Sequence, residues 1–127
     1  MSIPIRFPIG LLLAMSLCAC GRSEPPAISF SAEVMPILQS RCGECHAPGQ
    51  PGDEASGLSF VDYDSVMAGT RFGPVVVAGD SFGSTLVVLV EGRADPAIAM
   101  PHGEKDKLLA SEVTTLRAWI DQGAQNN

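Results

Sequence analysis

Two stretches of this chain carry apolar residues at helical spacing, and the sequence between them is rich in glycine and proline. Phe30, Val34, Ile37 and Leu38 fall at i, i+4, i+7 and i+8, one face of a helix predicted over Ser31–Arg41. Pro36 suits that helix only near its first turn, where the N–H it lacks would have no helical partner. Near the other end Leu109, Val113, Leu116 and Ile120 are spaced 4, 3 and 4, with Trp119 beside the stripe as a core residue. Gly123 is placed to end that second helix. Between them, Pro48, Gly49, Pro51, Gly52 and Gly57 make residues 47–57 read as a loop. Asp62 caps a short helix to Ala68 that Gly69 ends, and Gly73–Gly79 reads as an extended segment. Asp80 or Ser81 opens a helix holding Leu86, Val87, Leu89 and Val90, which Gly92 stops. No repeat and no second domain is visible, so a single domain is expected over residues 30–124, with 125–127 as a tail.

The start of the chain has a different character. Arg6 precedes the apolar run Ile9–Leu17, which is too short for the roughly 20 residues that span a bilayer and suits a cleaved export signal over residues 1–19. Leu17-Cys18-Ala19-Cys20 resembles a bacterial lipobox, with Cys20 as the acylated cysteine because small Ala19 precedes it. That resemblance implies an exported protein anchored to a membrane, the outer one in preference because Gly21 is not the aspartate associated with inner-membrane retention. Plain signal cleavage to a soluble periplasmic protein is the alternative. Residues 20–29, with Pro25-Pro26, read as a lipidated tether.

Removing residues 1–19 takes away one cation, Arg6, so the eight Lys+Arg become seven against fourteen Asp+Glu, a net charge of −7. Such a surface argues against nucleic acid and towards a partner with a basic docking face.

The chemistry concentrates at Cys42-Gly43-Glu44-Cys45-His46. Cys-x-x-Cys-His is the attachment signature of c-type haem, with two thiols for the vinyl groups and an imidazole for the iron. A structural zinc site needs four ligands, and Cys42, Cys45, His46 and the only other histidine, His102, would exhaust the supply. A thiol–disulfide site belongs between a strand and a helix, a pattern missing around residue 42, and it leaves His46 without a role. A chance pair in a structural helix is the bland reading. An exported protein also pairs spare thiols, and a Cys42–Cys45 disulfide would close too small a loop to restrain much of the unfolded chain.

The order of parts resembles class I c-type cytochromes, and most closely the small planctomycete-type cytochrome c domain. The resemblance rests on Val34-Met-Pro-Ile-Leu38, CxxCH, Gly73-Pro74, Gly79-Asp80, Met100-Pro101 and the ending Leu116-Arg-Ala-Trp-Ile-Asp-Gln-Gly-Ala124. His102 departs from the pattern, which more often has proline or a small or polar residue there. The resemblance implies an all-α domain of three to five helices wrapped around one covalent haem c. It implies Cys42 and Cys45 as attachment points, His46 and Met100 as axial ligands, and one-electron transfer without catalysis. Met100 has its own support: it lies in a proline-flanked loop just before the last helix, whereas Met35 and Met67 lie on predicted helices as core fillers. His102 is the alternative ligand. Further candidate haem contacts are Leu38, Phe60, Pro101 and Leu116, with Arg71 either at a propionate or simply exposed. Two other functions fit the same motif: a haem subunit of a larger oxidoreductase, and a five-coordinate haem sensor or enzyme.

Overall fold

The computed structural model describes residues 25–103 and 105–127. Among them the fold is all-α, with five α-helices and no strand. Helix α1 (Met35–His46) is preceded by a π-helical turn at Phe30–Val34, and Pro36 sits in its first turn, where no backbone bond is lost. Ser29 Oγ accepts from the Ala32 N–H at 3.2 Å while Glu33 Oε2 accepts from the Ser29 N–H at 2.8 Å, a reciprocal cap that starts the element. The helix therefore runs past Arg41, and the whole Cys-x-x-Cys-His stretch lies on its last turns.

Residues 47–57 are not all loop. Helix α2 (Pro51–Ser56) forms there because Pro51 pre-sets φ at its start and Asp53 and Glu54 place negative charge in the first turn. Gly57 then ends it in the left-handed region at φ +77°. Helix α3 (Tyr63–Ala68) is capped by Asp62, whose carboxylate accepts from the Ser65 N–H at 2.8 Å, and Gly69 follows it.

The next segment makes only an isolated bridge, Thr70 to Gly73, before running extended with Val75 and Val76 buried. Helix α4 (Thr85–Val90) starts later than Asp80 or Ser81. Asp80 is spent on a turn instead, accepting from the Gly83 N–H at 2.8 Å, and Ser81 bonds both carboxylate oxygens of Asp121 at 2.9 Å.

Helix α5 (Ala110–Asp121) closes the fold. Leu116, Trp119 and Ile120 are buried and Val113 partly so, but Leu109 caps the helix outside the core and is 58% exposed, while Leu108 turns inward. Trp119 packs with Phe30 (centroids 5.3 Å), which meets Tyr63 edge-on at 5.1 Å. The polar ends of both larger rings are satisfied, Trp119 Nε1 donating to the Gln125 carbonyl (2.9 Å) and Tyr63 Oη to that of Ala124 (2.8 Å). These aromatics weld the start of α1 to α5 and α3.

Both ends of the described chain are fastened. The Asn127 backbone oxygen accepts from the Ser31 N–H at 2.9 Å, and its side chain accepts from the Phe30 N–H at 2.8 Å. Gln122 bonds both Ile28 N (2.7 Å) and Pro26 O (3.3 Å), so residues 26–29 lie on the end of α5. The export signal, Cys20 and the rest of the tether lie outside the described residues.

Candidate functional site

Cys42, Cys45, His46 and Met100 line one cavity, of about 420 Å³. It lies within the roughly 300–1,000 Å³ range of sites that hold small cofactors. Leu58, Phe60, Val75, Leu86, Leu89 and Val90 make most of the remaining wall apolar, with Pro101 and exposed His102 beside Met100.

Three of the four key side chains come from one element, α1. The cysteines sit three apart on α1, so both reach the cavity from neighbouring turns. Burial, then the neighbouring Cys45, pushes the Cys42 thiol up to about 11, so this side chain is held as a neutral thiol at neutral pH. His46 ends α1 and is buried. Its Nδ1 lies 3.0 Å from the Leu58 carbonyl oxygen, which can only accept, so the proton is on Nδ1. In the neutral ring the lone pair is then on Nε2, in a residue that lines the cavity. Phe60 holds the ring edge-to-face at 5.3 Å, and the Phe60 N–H bonds the His46 carbonyl at 3.0 Å.

Met100 arrives from the opposite side of the sequence. Asp95 caps a 3₁₀ turn at Pro96–Ile98, and the Met100 N–H then bonds the Leu89 carbonyl of α4 at 3.3 Å. This fastens the loop to a wall that α4 already provides.

Two ion pairs border the site. Arg41 Nε donates to Glu112 at 2.8 Å, and Lys105 pairs with Glu44. Burial alone would push Glu112 up, but the bonds from Arg41 and from the Leu109 N–H outweigh it and hold the carboxyl below its usual range.

Phe60 and Pro101 therefore line the cavity as candidate contacts, while three others do not. Leu38 and Leu116 are fully buried in the core away from the cavity wall. Arg71 is also outside it: its Nη2 donates to the Glu54 carbonyl at 2.6 Å and its N–H to the Ser56 carbonyl at 2.8 Å. The sequence reading missed Leu58, Gly52 and α4 as parts of the site. Leu58 acts through a backbone carbonyl that any residue could supply, so its identity carried no signal. The apolar run Leu86–Val90 was visible, but nothing in it showed which faces meet the cysteines.

The residues fit a haem. The wall is apolar, two thiols stand at the attachment spacing, and a buried imidazole offers a tautomer with its lone pair on Nε2. Among the described residues no three His, Cys, Asp or Glu side chains converge to hold a bare metal ion.

An all-α fold closed around such a cavity defines a cytochrome c-like domain. The family model of planctomycete cytochrome C matches residues 42–113, more than half of the chain, and the chain belongs to that family. Membership implies covalently bound haem c. No curated protein and no solved structure matches the chain.

Proposed function

We propose that this protein is a monohaem c-type cytochrome and a one-electron carrier. Cys42 and Cys45 hold the haem by thioethers, His46 Nε2 is the proximal ligand, and Met100 is the distal one. The observation that carries the reading is the convergence of these four side chains on one apolar cavity, with His46 Nδ1 already engaged by Leu58. When bound, the haem supplies the one-electron couple of its iron. The protein's own part is to occupy both axial positions, exclude water with Leu58, Phe60, Leu86 and Val90, and keep the imidazole in one tautomer. With both positions taken, no site is left for a substrate on the iron, which supports a carrier over an enzyme.

The carrier acts outside the cytoplasm, held to a membrane, the outer one in this reading, by acylated Cys20, and meets a redox protein with a basic docking face. The export-type start and the net charge of −7 without residues 1–19 support this. At the cavity, Arg41 and Lys105 are each paired with a carboxylate, so they do little to reverse the acidic surface.

Expression with a cytochrome c maturation system tests the whole reading. Haem-peroxidase staining after denaturing electrophoresis should follow the polypeptide, and a redox titration should show one low-spin couple. An unstained band, or rapid carbon monoxide binding by the wild type, would replace the carrier with a different protein. Cys20→Ser should shift the stained band from the membrane to the soluble fraction; unchanged fractionation would favour plain signal cleavage.

A further inference from the structure

Gly52 is the second residue of α2, in its first turn, where glycine is a poorer helix former than alanine. A side chain there would collide with the candidate ligand: a Cβ would stand 2.8 Å from His46 Cε1, 2.9 Å from Nδ1 and 2.7 Å from the Cys45 carbonyl oxygen. The backbone of α2 thus rests directly on the imidazole.

The same segment supplies the hydrogen bond. After Gly57 the chain reaches Leu58, whose N–H bonds Ser56 Oγ at 3.1 Å and whose carbonyl accepts from His46 Nδ1. Ser56 Oγ also donates to the Gly52 carbonyl at 2.6 Å, so contact and hydrogen bond belong to one rigid turn.

That turn needs an external hold, because a helix of six residues is not stable alone. Arg71 provides it through its two bonds to the Glu54 and Ser56 carbonyls, which lie in the last turn of α2.

We propose that α2 is a clamp that sets the orientation and basicity of the proximal imidazole, with Gly52 as its contact point and Arg71 as its tie. Both are positioning residues. The inference rests on the haem reading and adds to it that residues outside the ligand set tune the iron. A firm Nδ1–H···O bond makes Nε2 a stronger donor and favours the ferric state. Loosening the clamp lengthens that bond and raises the reduction potential.

The sign separates this role from a simple charge effect. Arg71→Met removes the side-chain donor to the Glu54 carbonyl and keeps a similar stem and the backbone bond to Ser56. If Arg71 acted only as a cation near the haem, its loss would lower the potential, because a positive charge favours the reduced iron. As a tie, its loss raises it.

The experiment uses the full-length, haem-loaded protein, with covalent haem in the wild type confirmed by staining. Potential and ferric electron paramagnetic resonance g values are measured for wild type, Arg71→Met and Gly52→Ala. A raised potential with altered g values in Arg71→Met is expected, and a larger change in Gly52→Ala if that variant retains haem. Arg71 is exposed, so its variant decides the matter even if Gly52→Ala fails to fold. An unchanged or lowered potential in Arg71→Met would overturn the clamp while leaving the haem assignment standing. A wild type without haem would overturn both.

Discussion

Met100 and His46 reach the cavity under unequal restraint. His46 is buried, bonded through Nδ1 and held edge-to-face by Phe60, whereas Met100 is half-buried and held mainly through its backbone. A thioether is also a weak acceptor and adapts readily, so the distal side is the one expected to yield. Met100→Ala should lose the ferric sulfur-to-iron charge-transfer band, lower the reduction potential and gain carbon monoxide affinity. Optical spectra of the oxidised and carbon monoxide-treated reduced forms check all but the potential. A variant with an unchanged spectrum would move the distal role to His102, which lines the same cavity.

Between elements, what could be read beforehand depended on length. Helices α1 and α5, twelve residues each, carry several turns of periodic apolar residues, and their existence followed from that pattern. Helix α2 has only six residues, none buried, so no stripe could announce it; its markers were the Pro51 start, two acids and Gly57. Those same prolines and glycines read as a loop, since short helix and loop share their punctuation. The start of α4 was misplaced because Asp80 is a good cap in principle, and only the packed structure shows it committed to a turn. The site showed the same split: the motif named Cys42, Cys45 and His46, but the carbonyl of Leu58 and the bare backbone of Gly52 lie in tertiary contact. Glycines allow a direct test of element geometry. Gly69 ends α3 at φ +74°, and a Cβ there would meet Gly73 O and Pro74 Cα at 2.7 Å. Gly43 lies within α1 with nothing within 4 Å. Gly69→Ala should destabilise the protein by about 1–3 kcal/mol, whereas Gly43→Ala should stabilise it by up to about 1 kcal/mol. Denaturant unfolding of the haem-loaded proteins checks both, and equal effects would contradict the helix boundaries.

At the scale of the molecule, α5 is bound to the rest by apolar packing, by the Ser81–Asp121 bonds and by two ion pairs. Glu112 joins it to α1 through Arg41, and Glu91 joins the end of α4 to it through Arg117 at 2.8 Å. The hydrogen bond from Arg117 holds Glu91 below its ordinary value of 4.5, partly offset by burial and reinforced by Arg93; Glu112 is likewise lowered. A carboxyl with a depressed folded pKa contributes stability that is present above its unfolded value and lost as pH falls through the folded one. Stability should therefore hold near neutrality and begin to drop as pH approaches 4.5 and below. Glu91→Gln should flatten part of that slope in unfolding curves measured across pH. The remaining acids have a different consequence, because most face solvent and make the surface net negative. Exposed charges of one sign steer a partner of the other sign over about a Debye length, which shrinks from about 10 Å at 0.1 M salt to about 3 Å at 1 M. Contacts between redox proteins are small and short-lived, so this steering dominates the encounter rate. Electron transfer to a redox protein with a basic face should slow as ionic strength rises, and transfer to an acidic one should quicken. Stopped-flow oxidation of the reduced cytochrome by one acceptor of each kind, over a salt series, checks the signs. A rate that ignores salt with both acceptors would mean that the negative charge serves solubility alone and that apolar contact governs docking.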